Sequence, residues 1–226
     1  MMASKSTIIA IIAIVAIAIG AAFFFSQNNG ESPNILNLTS VEVRDINGTA
    51  LSSIADFREN SIAGPQQVNI TTYRLNVTGL VYQNESYTYQ DILTRFQSYQ
   101  KVVQLDCVEG WSVKILWQGV LVNDIIQQAG IQPGAKTIIF RAADGYSTSF
   151  PIDYITNGSI ILAYKMNNVT LPPERGFPFQ LVAESKWGYK WIKWVTQIEI
   201  SPSDYQGYWE SRGYSNSGDL NSSFLG

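Results

Sequence analysis

Alternating apolar and polar positions dominate the middle of this 226-residue chain and predict a series of short β-strands. The predicted strands lie at 41–44, 72–81, 101–106, 112–117, 137–142, 146–150, 160–164, 179–182 and 195–200. Two stretches have helical spacing instead: Tyr89–Ser98, which Thr88 can cap, and Leu121–Ala129, which Gly130 can end. The pattern predicts an α+β fold of mainly β character, built from hairpins and mixed sheets.

The single cysteine of the chain lies between two of these strands. Lys101–Asp106 and Ser112–Trp117 flank it, so Cys107 is predicted where one strand of a hairpin ends. A lone cysteine is most often a small buried hydrophobic residue, but Asp106 and Glu109 indicate a more polar setting here. Because there is no second cysteine, the chain has no internal disulfide. The thiol is either buried and inert or a ligand.

Composition and charge narrow the functional classes. The chain has no histidine, which excludes Ser-His-Asp and Cys-His catalysis and a His-ligated zinc site. A net charge of −3 provides no basic surface for DNA or RNA, so no nucleic-acid partner is expected. A hydrophobic content of 46% with 15% charged residues is typical of a well-buried β-rich protein or a membrane-attached one.

Residues 8–25 form an apolar run without charge or proline. At ~1.5 Å per residue, a helix of this length spans ~27 Å and can cross a bilayer. We expect residues 1–26 to be a membrane anchor or signal segment, 27–71 a linker and N-terminal extension, and 72–226 the main domain. Lys5 precedes the run and favours a cytoplasmic N-terminus, so the domain of this single-pass protein is expected on the extracellular or periplasmic side.

An excess of Asn-x-Ser/Thr triplets supports the same orientation, since these are glycosylation acceptors in exported proteins. The triplets begin at Asn37, Asn47, Asn69, Asn76, Asn84, Asn157, Asn168 and Asn221. Chance placement predicts roughly two such triplets. The pattern indicates a glycoprotein, unless these residues are abundant only because they favour turns.

A segment near the end of the chain, Glu184–Trp194, combines three lysines with four aromatic residues. Lysines at this spacing can neutralise a phosphate, while Gly188 allows backbone N–H groups to approach it. An edge strand with lysines in solvent and aromatic side chains in the core explains the same pattern. The residues alone leave both interpretations open.

Four sequence blocks, in this order and spacing, resemble the molybdopterin-dependent sulfite oxidase family. They are Leu105–Ser112, Asp144–Ser147, Leu171–Pro178 and Lys186–Trp194. The resemblance covers about residues 72–201 and is closest to the bacterial branch with the catalytic subunit of the periplasmic methionine sulfoxide reductase. It implies a sulfite oxidase-type α+β fold around a mononuclear molybdenum held by one molybdopterin.

The resemblance also implies an activity, a partner and roles for individual residues. The activity is transfer of an oxygen atom to or from a small-molecule substrate at the metal. Because the chain has no haem motif, a separate electron-transfer partner is implied. Cys107 is the implied catalytic residue and metal ligand, and the implied cofactor-binding residues are Arg175, Gly188, Tyr189, Lys190 and Lys193.

Other positions depart from the family. Gln180 stands where many members have an arginine, and Ala142 stands near a threonine of the bacterial branch. Between Asn37 and Gln67, no counterpart is expected for that branch's cofactor-contacting asparagine and aromatic segment. Gln180, Ala142 and a plain anchor without the twin-arginine signal usual in exported family members motivate an alternative, a cofactor-free extracellular binding or scaffold domain that retains the fold. A third class, a purely structural cell-surface module, rests on the anchor and the glycosylation triplets.

Overall fold

The structure, a computed structural model, describes residues 35–226. The anchor predicted at residues 8–25 therefore lies outside the described residues. Within them, no helix has both the length and the apolar character needed to cross a membrane.

Short strands make up most of the regular structure along the described residues, as the apolar pattern predicts. The strands are β1 (Asp45–Ile46), β2 (Thr49–Ala50), β3 (Leu75–Gly79), β4 (Glu85–Tyr87), β5 (Ser98–Asp106), β6 (Ser112–Leu121), β7 (Thr137–Ala142), β8 (Ser147–Pro151), β9 (Ile161–Met166), β10 (Val169–Thr170), β11 (Gln180–Val182) and β12 (Val195–Ser201). The α-helices are α1 (Ile35–Leu38), α2 (Tyr89–Arg95), α3 (Val122–Ala129) and α4 (Ile152–Thr156), and 3-10 turns lie at Pro173–Arg175, Gly188–Lys190 and Glu210–Arg212.

Two five-stranded sheets carry the fold. The first has the order β10-β9-β6-β5, with β11 also paired to β9, and every pairing in it is antiparallel. The second has the order β4-β3-β12-β7-β8, in which β12 runs parallel to β3. The predicted α+β fold of mainly β character is confirmed.

The β5–β6 hairpin pairs without interruption from Ser98 opposite Val120 to Asp106 opposite Ser112. Side chains alternate along a strand, so Val103 and Leu105 both point into the core. Cys107 continues that alternation one residue beyond β5 and is buried as well. Cys107 therefore lies at the turn end of the hairpin, where β5 stops, as predicted, and its side chain is buried.

Both predicted helices are present, but α2 ends at Arg95 instead of Ser98 and α3 begins at Val122 instead of Leu121. Thr88 and Asp91 form a capping box, because the Asp91 backbone N–H donates to Thr88 Oγ1 and the Thr88 N–H donates to the Asp91 carboxylate. Helix α2 ends at Arg95 because β5 begins at Ser98. Helix α3 ends at Gly130, which lies at φ 70°.

The strand predicted at Val41–Arg44 is wrong. The Glu42 side chain is buried and accepts hydrogen bonds from Ser53 Oγ, the Ile54 backbone N–H and Asn167 Nδ2. These bonds fasten the stretch before residue 72 to the β9–β10 turn, and Ile54 joins the core. A domain boundary at residue 72 stays a prediction, but the described part of the proposed extension packs on the main sheets.

Candidate active site

A cavity of about 420 Å³ opens beside the end of the β5–β6 hairpin. Its wall is assembled from residues that are distant in sequence, at 57–62, 105–111, 144–146, 174–180, 188–194 and 209–214. Five of the six predicted site residues line it, namely Cys107, Arg175, Gly188, Tyr189 and Lys193. The volume lies within the ~300–1,000 Å³ usual for small-molecule and cofactor sites.

Cys107 sits in a tight turn at the cavity wall. Its backbone N–H donates to Trp111 O at 2.9 Å, and the Gly110 N–H donates to Cys107 O at 3.0 Å. Burial raises the pKa of the Cys107 thiol, while hydrogen bonds from the Glu109 backbone and from Asn60 act in the opposite direction. A cationic metal at this place would favour the thiolate.

Residues 57–60 form a wall of the cavity that the sequence did not predict. Asn60 Nδ2 lies 3.6 Å from Cys107 Sγ, close enough for a hydrogen bond to sulfur. The sequence indicates no counterpart between Asn37 and Gln67 for the family's cofactor-contacting asparagine and aromatic segment, yet Asn60 and Phe57 of this stretch line the cavity. These residues lie in irregular chain, where no periodicity indicates which side chains face inward.

Arg175 ends the 3-10 turn Pro173–Arg175 and fastens residues 54–57 to the cavity wall. It is 5% exposed, and its guanidinium donates to Ile54 O at 3.0 Å and to Phe57 O at 2.9 Å. The guanidinium also lies over the Phe57 ring, 4.6 Å from its centre. Burial lowers the pKa of Arg175, but an arginine side chain keeps its charge. Arg175 thus positions the same stretch that brings Asn60 to Cys107.

Charged groups converge on one side of the cavity. Lys193 Nζ lies 2.5 Å from Glu59 Oε1. Burial lowers the pKa of Lys193, and the hydrogen bond to Glu59 opposes this shift. Burial also raises the pKa of Asp144, whose Oδ1 accepts the Tyr146 backbone N–H at 2.9 Å. Lys193 is therefore a cation held in a poorly hydrated wall, where an anionic ligand group could compete with Glu59.

Gly188 brings the segment at residues 184–194 against the backbone of Asp106 and Cys107. A Cβ atom at this position would lie 3.2 Å from Asp106 O and 3.5 Å from the Cys107 Cα. Asp106 and Trp187 form an isolated parallel bridge beside it. The absence of a side chain thus permits close contact between residues 187–188 and the end of β5.

Lys190 does not line the cavity. Its ammonium is fully buried and donates to Ser149 O at 2.7 Å, Glu210 Oε1 at 2.6 Å and Asn216 O at 3.0 Å. The edge-strand interpretation of residues 184–194 is wrong about the strand and the lysines, because the segment forms a 3-10 turn and Lys186 and Lys190 are buried. Its expectation of aromatic side chains in the core is confirmed by Trp191 and Trp194. The structure thus places Lys190 apart from the other predicted cofactor-binding residues.

The residues present fit a molybdopterin. Among residues 35–226, no group of three Cys, Asp or Glu side chains is placed to hold a metal, and Cys107 is the soft ligand that lines the cavity. Two cavity-lining acceptors, Glu174 Oε2 and Gln180 Oε1, are buried in the described structure without a hydrogen-bond partner. A pterin ring carries amino and ring N–H donors for such acceptors, and Lys193 offers a cation for its phosphate.

Comparison with known proteins agrees with this chemistry. The sequence model of the oxidoreductase molybdopterin binding domain matches residues 62–209. The chain is 33% identical over 156 residues to the uncharacterized oxidoreductase YuiH of Bacillus subtilis, covering 69% of this chain and 78% of that protein. It is 24% identical over 215 residues to the protein-methionine-sulfoxide reductase catalytic subunit MsrP of Campylobacter jejuni, covering 88% and 71%.

A solved structure shows the same fold. The sulfane dehydrogenase SoxCD of Paracoccus pantotrophus superposes with a TM-score of 0.61 at 25% identity, covering 68% of this chain and 43% of that chain. The family model spans more than half of the sequence and includes the cavity residues from 62 to 209. The chain therefore belongs to the molybdopterin-binding oxidoreductase family, whose cofactor is molybdenum bound to molybdopterin.

Proposed function

We propose that this protein transfers an oxygen atom to or from a small substrate at a mononuclear molybdenum ligated by Cys107. The observation that carries the proposal is the position of the Cys107 sulfur. It lies at the wall of a ligand-sized cavity, beside Asn60 and next to the close approach of Gly188. A buried structural cysteine needs neither a cavity nor polar neighbours.

Different residues of the cavity would bind the metal, the pterin ring and the phosphate of the cofactor. When bound, the cofactor supplies a two-electron centre that exchanges an oxygen atom with the substrate. Cys107 would be the protein ligand, and Asn60 would hold its sulfur by donating a hydrogen bond. Glu174 and Gln180 would accept hydrogen bonds from the pterin, and Lys193 would exchange Glu59 for the phosphate.

Electrons would reach the site from a separate partner. MsrP of Campylobacter jejuni is, by its name, a catalytic subunit, which supports a division between catalysis and electron supply. The apolar run at residues 8–25 would anchor the protein in a membrane with the catalytic domain outside.

Elemental analysis of protein purified from its own host tests the proposal. We expect molybdenum and pterin in the wild type and loss of most of the molybdenum in Cys107→Ser. Ala129→Ser is a matched control, since it adds a hydroxyl at a buried residue of α3 that does not line the cavity. Equal metal content in C107S and wild type would refute ligation by Cys107.

The alternative is a cofactor-free binding domain. It is favoured by the existing partners of the two cations in the cavity wall. Lys193 pairs with Glu59, and Arg175 donates to two backbone carbonyls, so both are satisfied without a bound anion. In that case, native protein contains neither molybdenum nor pterin, and Cys107→Ser changes only stability, by ~1–3 kcal/mol.

A further inference from the structure

Residues 205–226, which we name the strap, pack against residues 185–190 beside the cavity. The matched family region ends at residue 209, so most of the strap lies beyond it. We propose that the strap is part of the cofactor site: it positions Gly188 and Tyr189, and the Tyr214 ring completes the cavity wall. The cofactor role rests on the proposed function, whereas the positioning role does not.

The strap is fastened to β8 before it reaches the cavity. The Tyr208 backbone N–H donates to Ser147 O at 2.9 Å, and Ser149 Oγ donates to Tyr205 O at 2.6 Å. Gly207 permits this contact, because a Cβ there would lie 2.2 Å from Ser147 O. One end of the strap is therefore fixed on the second sheet.

A buried ion pair joins the strap to the cavity segment. Lys190 Nζ and Glu210 Oε1 lie 2.6 Å apart, and both side chains have no exposed surface. Thr148 Oγ1 donates to the same carboxylate oxygen. Burial lowers the pKa of Lys190, and attraction to Glu210 opposes the shift. Lys190, which the family resemblance assigns to the cofactor, connects the cavity segment to the strap in this structure.

Backbone bonds continue the attachment along residues 185–187. The Trp187 N–H donates to Gly218 O at 2.8 Å, and the Leu220 N–H donates to Ser185 O at 3.0 Å. Lys186 and Asp219 form an ion pair at 2.5 Å. The chain immediately before Gly188 is thus held from outside by the strap and from inside by the end of β5.

Aromatic contacts extend the attachment to the cavity itself. Tyr189 Oη donates to Ser215 O at 2.6 Å, and the Tyr189 and Tyr214 rings meet edge to face at 5.0 Å. Tyr214 also packs on Trp209, with ring centres 5.2 Å apart. Trp209 and Tyr214 both line the cavity. The strap therefore supplies wall surface as well as support.

Cofactor retention and amide exchange test the two parts of the proposal. In loaded protein, we expect Tyr214→Ala and Asp219→Ala to lose pterin and molybdenum about tenfold faster on dialysis, as ~1.4 kcal/mol of lost contact would give. Tyr214→Phe should retain them, because the wall needs the ring. Exchange of the Trp187 amide should be faster in Asp219→Ala than in wild type.

Two controls separate positioning from stability. Arg212→Ala removes a strap charge whose hydrogen bonds go only to Tyr208 and Ser211, so it should retain cofactor. Ile126→Val destabilises the distant helix α3, and at an equal loss of Tm it should also retain cofactor. The proposal would be overturned if Ile126→Val and Tyr214→Ala released cofactor at the same rate. It would also be overturned if the Trp187 amide exchanged equally fast in Asp219→Ala and wild type. If wild-type protein contained no cofactor, the proposed function would be refuted instead. Amide exchange at Trp187 would then still test whether the strap positions residues 187–189.

Discussion

Individual charged residues of the cavity wall and of its attachment to the strap are strongly affected by burial. The side chains of Lys190 and Glu210 carry opposite charges in the complete absence of solvent contact. Asp144 has its pKa raised by burial, and Lys193 has its pKa lowered by the same cause. Each of these groups loses hydration on folding, so substituting it should change the free energy of unfolding or the Tm.

Removing one partner of the buried ion pair should be costly. Lys190→Met leaves the Glu210 carboxylate buried without its cation, and we expect a loss of ~3–5 kcal/mol in the free energy of unfolding. The double variant Lys190→Met, Glu210→Gln should recover much of that loss. Urea unfolding measures both. Lys114→Met, at an exposed strand position, should change stability by less than ~0.5 kcal/mol.

Asp144 should give a pH-dependent effect. A carboxyl whose pKa is raised in the folded state destabilises the fold above that pKa, and the penalty disappears as the pH falls towards the ordinary value near ~3.9. Asp144→Asn should therefore raise Tm at pH 7 to 8 and match the wild type near pH 3, since its Oδ1 can still accept the Tyr146 N–H.

The control for this effect is Asp153→Asn, an exposed position in α4. Its Tm difference from the wild type should stay small across the same pH range. A lower Tm for Asp144→Asn at pH 7 would contradict the expected sign.

At the scale of the secondary-structure elements, a close backbone contact between β6 and β9 helps to position the strands beside the cavity. Strand β6 shifts register against β9 between Gln118 and Gly119. A Cβ at Gly119 would lie 2.1 Å from Leu162 O, so the two strands approach more closely than a side chain allows. Strand β6 begins at Ser112, which pairs with Asp106 at the end of β5, next to Cys107. The Gly119 contact therefore fixes the strand that helps to position Cys107.

Gly119→Ala should consequently damage the first sheet. We expect a loss of ~3 kcal/mol or more, because backbone must move, and a weaker β signal in circular dichroism. Gly110→Ala is the matched comparison. Gly110 has φ 86° but nothing within 4 Å of an added Cβ, so that change should cost only ~1–2 kcal/mol of conformational strain. Similar losses for both would show that the β6–β9 contact can relax.

Strands and helices with a clear apolar period could be predicted from the sequence, and the irregular walls of the cavity could not. The two strand-like runs on either side of Cys107 placed it correctly just beyond the end of β5. Glu42 sits in an apolar stretch that resembles a strand, yet its carboxylate turns inward because Asn167, far along the chain, donates to it. Lysine spacing alone gave no indication that Lys190 would face Glu210, since that pairing depends on how the strap crosses β8.

At the scale of the whole molecule, residues near both ends of the described region complete the cavity wall beside the two sheets. Residues 57–60 cover one side, with Arg175 fastening them, and the strap covers another. Seven of the eight glycosylation triplets begin at exposed asparagines, while Asn76 is half-buried in β3. An external location would therefore leave most of these sites open to modification.

Glycan mapping can test the proposed external location. In protein purified from its own host, Asn84→Gln should lower the glycan mass, because Asn84 is exposed just before β4. Asn76→Gln should change it less, since the Asn76 side chain accepts a hydrogen bond from Ser86. Mass spectrometry before and after glycan removal measures both. Unmodified asparagines at all eight positions would contradict the expectation.

The scattered origin of the cavity wall also has a consequence for synthesis. Its residues run from Phe57 to Tyr214, so a growing chain cannot present a complete cavity until Tyr214 has left the ribosome. A cofactor that needs the complete wall would therefore be inserted after residue 214 has been made, rather than captured by an early folding unit. A host that folds the chain before export could load it inside the cell. A host that exports it unfolded would have to provide the cofactor on the far side of the membrane.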